Sequence, residues 1–328
     1  MGTIHRALKI RLYPNSKQQE VLNKTLGSCR ALYNMMLYER IQTYENWKQS
    51  GDDLTVLYNH KNKTEKEYKE EFSWLKEDVD SQALQQSRID LSMAYQNFFK
   101  SLKGQRKGAK VGFPKFKKKK IGSSYRTMMT NNNIAINFDS HKVKLPKLGW
   151  VIFRDRRKRI DGIIKSATVS RSSIGKYFVS ILIEQELELK GVEITDELKA
   201  KTIGLDMSLE KLFVDDNGNS PAYERLYRKY EPLLKKAQRK MSKKKKGSKN
   251  WYKALFKVNR IHEIIANKRR DFTQKLSTQL VRENEVIVVE HLSLRGMSQA
   301  MHLGKSVMDL GYSEFVRQLQ YKSLWNNK

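Results

Sequence analysis

Apolar and basic side chains alternate with a period of two across residues 4–13. That period is typical of a strand with one buried face, and Pro14 would end it. Asn15 or Ser16 is then a suitable helix N-cap, and apolar positions follow at helical spacing through residues 21–38. The chain is therefore expected to open with a strand and a long helix.

The middle of the chain changes period twice. Helical spacing returns across residues 63–103, and period-two alternation with turn signals dominates residues 133–187. A first strand, a helical stretch and a later set of strands together predict a split β-barrel interrupted by helices. Residues 186–201 are charged and lack strong apolar periodicity, which makes them the best candidate for a linker.

The last third of the chain combines short strands with long helices. Apolar runs end at Asp206 and Glu290. Two helices are expected between them, the first opened by Pro221 and the second capped by Ser248. Apolar residues within positions 251–280 recur at spacings of 3, 4 and 7, which predicts a buried stripe along the second helix.

Charge narrows the possible partners. The 328 residues include 65 Lys and Arg against 35 Asp and Glu, a formal net charge of +30. Such an excess would repel itself in a compact fold unless a polyanion offsets it, so nucleic acid is the expected partner. No run of about 18 apolar residues and no signal-peptide pattern is present, so we expect no membrane association and a cytoplasmic location.

Other classes of chemistry are excluded by what the sequence lacks. Cys29 is the only cysteine, which rules out an intrachain disulfide and a zinc site built from several thiolates. No phosphate-binding glycine loop is present. Residues 103–120 instead mix lysines with Phe113 and Phe116. This mixture favours nucleic-acid contact, because cations reach phosphates while rings stack on bases.

Asp206 and Glu290 are the candidate catalytic residues. Nucleases of the RNase H type cut phosphodiesters with three or more carboxylates around two divalent metals ~3.5–4 Å apart. Two carboxylates at strand ends are by themselves a weak signal. Their hard oxygen ligands suit Mg²⁺, although a pair leaves most coordination positions to water and predicts weak binding.

Longer sequence segments indicate a protein family more specifically than the two carboxylates do. Those in the C-terminal part are Arg228-Lys-Tyr230, Lys243-Lys-Lys-Lys-Gly-Ser-Lys-Asn250, His262-Glu-Ile-Ile-Ala-Asn-Lys-Arg-Arg-Asp-Phe272, Lys275-Leu-Ser-Thr278, Val288-Val-Glu290 and Arg295-Gly-Met297. Those in the N-terminal half are Ser81-Gln-Ala-Leu-Gln-Gln86, Asn97-Phe-Phe99, Gly112-Phe-Pro-Lys-Phe116 and Ser124-Tyr-Arg126. Over nearly the whole chain these segments resemble the TnpB family, the RNA-guided DNA endonucleases of bacterial insertion sequences.

The resemblance implies a multi-domain protein with α+β and α/β parts. A wedge β-barrel would comprise residues 1–14 and 104–190, with a helical recognition lobe inserted at residues 15–103. A linker at residues 191–201 would lead to an RNase H-like (RuvC) domain at residues 202–328. The implied partners are a guide RNA and double-stranded target DNA that carries a short flanking motif.

The resemblance also assigns roles to individual residues. It implies that Asp206 and Glu290 hold Mg²⁺ as catalytic residues. The residues expected to contact nucleic acid, by recognition of bases or by binding of phosphates, are Tyr33, Gln82, Gln86, Lys115, Lys117, Tyr125, Arg126, Thr127, Lys243, Lys244 and Arg269.

Family members normally continue with a Cys-x-x-Cys zinc ribbon and a segment that carries a third acid, and neither is in this sequence. Ser208 also stands where the family usually has glycine. We therefore expect an incomplete RuvC-like domain, no zinc, and a final helix that covers the strand before Glu290 through Phe315, Leu319 and Trp325.

Three functions fit these observations. The first is an RNA-guided DNA-binding protein that does not cut efficiently and represses transcription by occupying its target, like the TnpB-derived nuclease-dead repressors. The second is a metal-dependent RNA-guided endonuclease associated with transposition, active if the missing acid comes from elsewhere. The third is a basic RNA-binding protein that uses no guide.

Overall fold

The computed structural model describes residues 2–119, 123–155, 161–188, 195–196, 201–290, 292–294, 296–297 and 304–328. The chain forms two compact units. The sheet unit comprises His5–Glu186, and the C-terminal unit comprises Leu187–Lys328 together with Met1–Ile4. Most of the linker expected at residues 191–201, and Arg295 of the Arg-Gly-Met segment, lie outside the described residues.

Helices and strands of the sheet unit follow the order predicted from the periodicity. The helices are α1 Ser16–Ser50, α2 Leu54–Asn59, α3 Glu65–Glu71 and α4 Ser81–Leu102, with a 3-10 turn at Ser73–Leu75. The strands are β1 Gly2–Tyr13, β2 Ser123–Met128, β3 Ala135–Asn137, β4 Lys142–Leu145, β5 Gly149–Arg154, β6 Ile163–Arg171 and β7 Tyr177–Leu187.

Helix α1 begins as its sequence predicts. Of the two candidate caps, Asn15 is the one used: its side chain accepts the backbone N–H of Gln18, and the Gln18 side chain accepts the N–H of Asn15. This reciprocal pair satisfies two backbone donors that the first helical turn leaves without partners. Gly51, with φ of 71°, ends the helix in the left-handed conformation that glycine adopts at little cost.

The seven strands form one sheet in the order β2-β6-β7-β1-β5-β4-β3. The expected closure into a barrel is wrong for this structure: β2 and β3 stand at opposite edges, and among the described strands they do not pair with each other. Closure would require a continuous ladder between the two edges, and β3 offers only three residues for it.

One hydrophobic core lies between the inner sheet face and the helices. It contains Leu8, Ile10 and Leu12 from β1, and it also contains Leu32 of α1 and Leu84 of α4. Alternation along β1 therefore directs every second residue inward. Because the helices and the sheet share this core, the helices expected as an inserted lobe pack as part of the sheet unit.

The C-terminal unit combines a small sheet with helices. Its elements are β8 Thr202–Ser208, β9 Leu212–Asp215, α5 Leu226–Ser242, α6 Lys249–Glu283, β10 Val286–Val289, α7 Gly304–Leu310 and α8 Tyr312–Trp325. Strand β8 is central, with β10 parallel on one side and β9 antiparallel on the other. Helices α6 and α8 share a core with one face of this sheet.

Two local predictions in this unit need correction. The helix expected to open at Pro221 begins at Leu226 instead, because Asp309 accepts the backbone N–H groups of its first turn. The final helix enters the core through Phe315 and Leu319 as predicted, but Trp325 is not among the residues that form this core. Its Phe315 ring stacks on Phe213 of β9 with centroids 5.6 Å apart, and Trp325 contacts Tyr321 of its own helix.

None of the helices in the described parts of the chain is long and apolar enough to cross a lipid bilayer.

Candidate nucleic-acid interface and carboxylate pair

A cavity of about 700 Å³ opens in the sheet unit between α1, α4, β2 and the basic loop before β2. We call it the basic cleft. Its floor includes the buried residues Cys29 and Ser87, and the Phe116 ring at its side is 47% exposed. The cations that line it are Arg30, Lys115, Lys117, Lys118 and Arg126.

Asp90 is the one acid among the described residues that line the basic cleft. Its carboxylate lies 3.6 Å from Lys117 Nζ and 4.0 Å from Arg126 Nη2. All three side chains are substantially exposed, and such surface pairs stabilise a protein by about 0–1 kcal/mol. The two cations can therefore exchange this carboxylate for a phosphate at little cost.

Gln86 lines the basic cleft and is buried. Its Oε1 accepts a hydrogen bond of 3.0 Å from Arg126 Nε. A glutamine that reads adenine bidentately uses both its amide oxygen and its amide N–H₂. Recognition of a base by Gln86 would thus require Arg126 to release the oxygen, which couples the two residues.

Lys117 is held on helix α1 by its backbone. The Asn34 side chain accepts the Lys117 N–H at 2.8 Å and donates to the Lys117 carbonyl at 3.0 Å. The Lys117 ammonium also lies 4.0 Å from the centroid of the Tyr33 ring, a cation–π contact. Burial, and secondarily the charge of Asp90, raises the pKa of Tyr33. The hydroxyl of Tyr33 therefore stays protonated at neutral pH.

The remaining residues predicted from the N-terminal half differ in accessibility. Lys115 and Arg126 are exposed and line the basic cleft, and Gln82 is half-buried on α4. Tyr125 is buried in the core. Thr127 is fully buried, and its Oγ1 has no hydrogen-bond partner within the described residues. A ligand cannot reach Thr127 in this arrangement.

Asp206 and Glu290 are brought together in the C-terminal unit. Parallel pairing sets Val289 of β10 opposite Leu205 of β8, so the next residues along each strand are Glu290 and Asp206. Both are exposed, and both line one cavity of about 480 Å³ on the sheet. Val288 of β10 pairs with Gly204 of β8, and Gly204 has no side chain to fill the cavity.

Two further acids line this cavity, but their carboxylates accept hydrogen bonds from backbone N–H groups of β8 and of the turn after β9. Asp216 Oδ2 accepts the backbone N–H of Gly204 at 3.2 Å. Asp215 Oδ1 accepts the N–H groups of Asn217 and Asn219 at 3.0 and 2.7 Å. Among the residues that the structure describes, no three His, Cys, Asp or Glu side chains are placed to hold a metal ion together.

Ser208 has a local structural role. Its Oγ accepts the backbone N–H groups of Glu210 and Lys211, both at 3.2 Å. These bonds form the tight turn between β8 and β9. A serine at this position therefore organises the turn that follows the Asp206 strand.

Tyr312 lies beneath the carboxylate pair at the start of α8. Its ring is in the core, and its hydroxyl is buried without a hydrogen-bond partner in the described residues. Burial raises the pKa of Tyr312, and the charges of Glu290 and Asp206 raise it further. The sequence offered no signal for this residue, because its proximity to the carboxylates arises only when α8 packs on the sheet.

The other predicted phosphate contacts have different surroundings. Lys243 and Lys244 are exposed in the turn between α5 and α6. Arg269 instead pairs with the buried carboxylate of Asp309 at 3.0 Å. This pairing gives Arg269 a structural role, since removing the cation would leave a buried charge uncompensated.

Comparison with known proteins is consistent with these features. A family model described as "Probable transposase" (OrfB of IS605) matches residues 180–301. "Putative RNA-guided DNA endonuclease InsQ" of Escherichia coli (strain K12) is 32% identical over 98% of this chain and 78% of its own length. The chain belongs to the TnpB family of IS605-type elements.

Other relatives agree with this membership. A protein from Streptomyces pristinaespiralis with the description "Putative RNA-guided DNA endonuclease" is 31% identical over 99% of this TnpB-family chain and 76% of its own length. A helix-turn-helix model of the same family matches residues 1–49. In the structure these residues form strand β1 and most of the single helix α1.

Proposed function

We propose that this chain is an RNA-guided DNA-binding protein that represses transcription by occupying its target, with little or no DNA cleavage. The observation that carries the proposal is that, in the part of the chain that the structure describes, no third acid is placed to share a metal ion with the carboxylate pair. Asp206 and Glu290 share a cavity, while Asp215 and Asp216 beside them are engaged in hydrogen bonds to backbone N–H groups. A two-metal clamp on attacking and leaving oxygens needs more carboxylates than this pair.

The basic cleft supports the proposed binding of DNA. RNA-guided effectors hold nucleic acid by backbone charge and shape, and they read a short flanking duplex motif directly. Lys117 and Arg126 supply charge, and Gln86 supplies an amide between them. We propose that the cleft contacts the target DNA beside the sequence that pairs with the guide RNA.

A second function, metal-dependent DNA cleavage, is favoured by one observation: the strand register places Asp206 and Glu290 in the same cavity. Their oxygen donors fit Mg²⁺, and these two residues would hold it. When bound, Mg²⁺ would stabilise the charge that develops on phosphate oxygens. Both side chains are exposed, so water would compete for the ion.

One experiment separates these functions. The protein is purified from its native host, its bound RNA is sequenced, and DNA matched to that RNA is tested for binding and for cutting in Mg²⁺. The controls are DNA with a scrambled target and the variant Asp206→Ala.

Tight binding of matched DNA that remains intact supports repression by occupancy. Cutting of matched DNA that Asp206→Ala abolishes would overturn the proposal and establish an endonuclease. Equal affinity for matched and scrambled DNA at physiological salt would instead indicate a basic protein that uses no guide.

A further inference from the structure

The outer face of the seven-stranded sheet exposes large apolar side chains. Trp150 and Ile152 of β5 are 46% and 51% exposed, and Tyr13 of β1 is 36% exposed. Cross-strand pairing places Tyr13 directly opposite Ile152. A contiguous exposed apolar surface of this kind marks a binding site more often than a free surface.

Cations flank these rings on the same face. The Arg11 and Arg154 guanidinium carbons lie 4.8 and 5.4 Å from the centroid of the Tyr13 ring, so a base stacks on Tyr13 only when one of these cations moves aside to a phosphate. Lys144 of β4 pairs across the ladder with Trp150. The outward positions of β4, of β5 and of β1 from Ala7 onward hold five cations and no acid: Lys9, Arg11, Lys142, Lys144 and Arg154.

The exposed rings and the cations around them together indicate what kind of molecule binds this face. Five cations without an acid favour a polyanion and disfavour a second copy of a chain whose net charge is +30. Exposed rings on the face of a sheet offer stacking surfaces for bases, which must be unpaired to use them. A double helix would present phosphates to the cations and leave the rings without a partner.

We propose that this face, defined by Tyr13, Trp150, Ile152 and the five cations around them, binds unpaired bases of RNA. We call it the stacking face. The assignment to RNA rests on the proposed function. Guided recognition also leaves one displaced DNA strand unpaired, but that strand exists only in the target complex, whereas the guide RNA accompanies the protein throughout. The unpaired segments of the guide RNA are therefore the more constant source of stackable bases.

The test uses the full chain and fluorescein-labelled 12-nucleotide oligouridylate RNA, with oligodeoxyuridylate as the DNA counterpart. Affinity is measured by anisotropy across a series of KCl concentrations. The variants are Trp150→Ser and Tyr13→Ser for stacking and Arg154→Gln for charge. Trp74→Ser is the matched control, because Trp74 is 44% exposed in the same unit but belongs to the 3-10 turn Ser73–Leu75 and not to a strand.

Each lost stack is expected to weaken RNA binding about tenfold, since base stacking on an aromatic ring contributes ~1–3 kcal/mol. The slope of log affinity against log salt should stay unchanged in these two variants. Arg154→Gln should reduce that slope by about 0.7, the value for one phosphate contact on a single strand. Trp74→Ser should bind like the wild type, and circular dichroism should show all variants folded.

Equal affinities of Trp150→Ser and Trp74→Ser would overturn the proposal. A larger loss for the DNA oligonucleotide than for RNA would also overturn it, because the occupant would then be a displaced DNA strand. If the stacking variants behave as expected while the native protein shows no guide-dependent DNA binding, the stacking face stands and the proposed function fails. If the stacking variants bind RNA like the wild type while the native protein shows guide-dependent DNA binding, the proposed function stands and the stacking face fails.

Discussion

The carboxylate of Asp309 accepts the backbone N–H of Tyr227 at 2.8 Å, so the first turn of α5 is capped by a residue 82 positions later in the chain. The same carboxylate accepts the N–H of Arg228 and pairs with Arg269 of α6. One buried side chain thus ties together the start of α5, the end of α7 and the middle of α6.

Asp309→Ala should therefore destabilise the C-terminal unit by about 3 kcal/mol. The substitution removes a helix cap and leaves the largely buried Arg269 guanidinium without its partner. Urea unfolding followed by circular dichroism measures the loss. Asp271→Ala, which breaks an exposed pair with Lys275, serves as the control and should leave the midpoint unchanged. Equal midpoints for the two variants would contradict this role of Asp309.

Tyr312→Phe should raise the free energy of unfolding by about 1 kcal/mol. Within the described residues the hydroxyl is buried without a hydrogen-bond partner, and its removal eliminates that desolvation cost. Tyr321→Phe is the matched control, because its hydroxyl accepts a hydrogen bond from Gln274 at 2.9 Å, and it should lower stability. A destabilising Tyr312→Phe would mean that this hydroxyl has a partner in solution.

Thr127→Val should also stabilise the protein by about 1 kcal/mol and leave DNA affinity unchanged, because the hydroxyl is buried and has no partner in the described residues. In contrast, Thr273→Val should destabilise, since Thr273 Oγ1 accepts from Gln318 and donates to the Arg270 carbonyl. Thermal unfolding and DNA binding are measured on both variants. A lower affinity of Thr127→Val for target DNA would restore Thr127 as a recognition contact.

Lys322 should make stability depend on pH. Burial lowers the pKa of Lys322 from 10.5 to about 8, so between these values the folded protein binds fewer protons than the unfolded chain. The free energy of unfolding should therefore rise as pH increases from about 8 toward 10. Urea unfolding of wild type and Lys322→Met over this range isolates the effect. Parallel pH profiles for the two proteins would show that Lys322 stays charged throughout.

Arg126→Ala should weaken binding to all DNA sequences and reduce the salt slope by about 0.9, the value for one lost phosphate contact on duplex DNA. Gln86→Ala should instead change the preference for the flanking motif and keep the slope, because an amide reads bases and carries no charge. Filter binding on a panel of flanking sequences at several salt concentrations measures both. A uniform loss for Gln86→Ala would remove it from motif recognition.

Much of the secondary structure could be predicted from local sequence patterns. The alternation at residues 4–13, the cap at Asn15 and the Ser248 cap of α6 each depend on side chains within a few positions of one another. For the same reason the strand that carries Asp206 and the strand before Glu290 were predictable, although the first continues to Ser208 and does not end at Asp206. Family resemblance, which depends on longer segments, predicted the membership that the comparisons establish.

Tertiary packing determined the features that no local sequence pattern could predict. The open edge of the seven-stranded sheet, the Asp309 cap and the burial of Thr127 all depend on residues far apart in the chain. Arg269 was predicted as a phosphate contact, and only the approach of Asp309 revealed its ion pair. The sequence by itself thus determined which segments form strands and helices and the family to which they belong. Packing, through long-range burial and hydrogen bonding, determined which of their side chains remain free to meet a ligand.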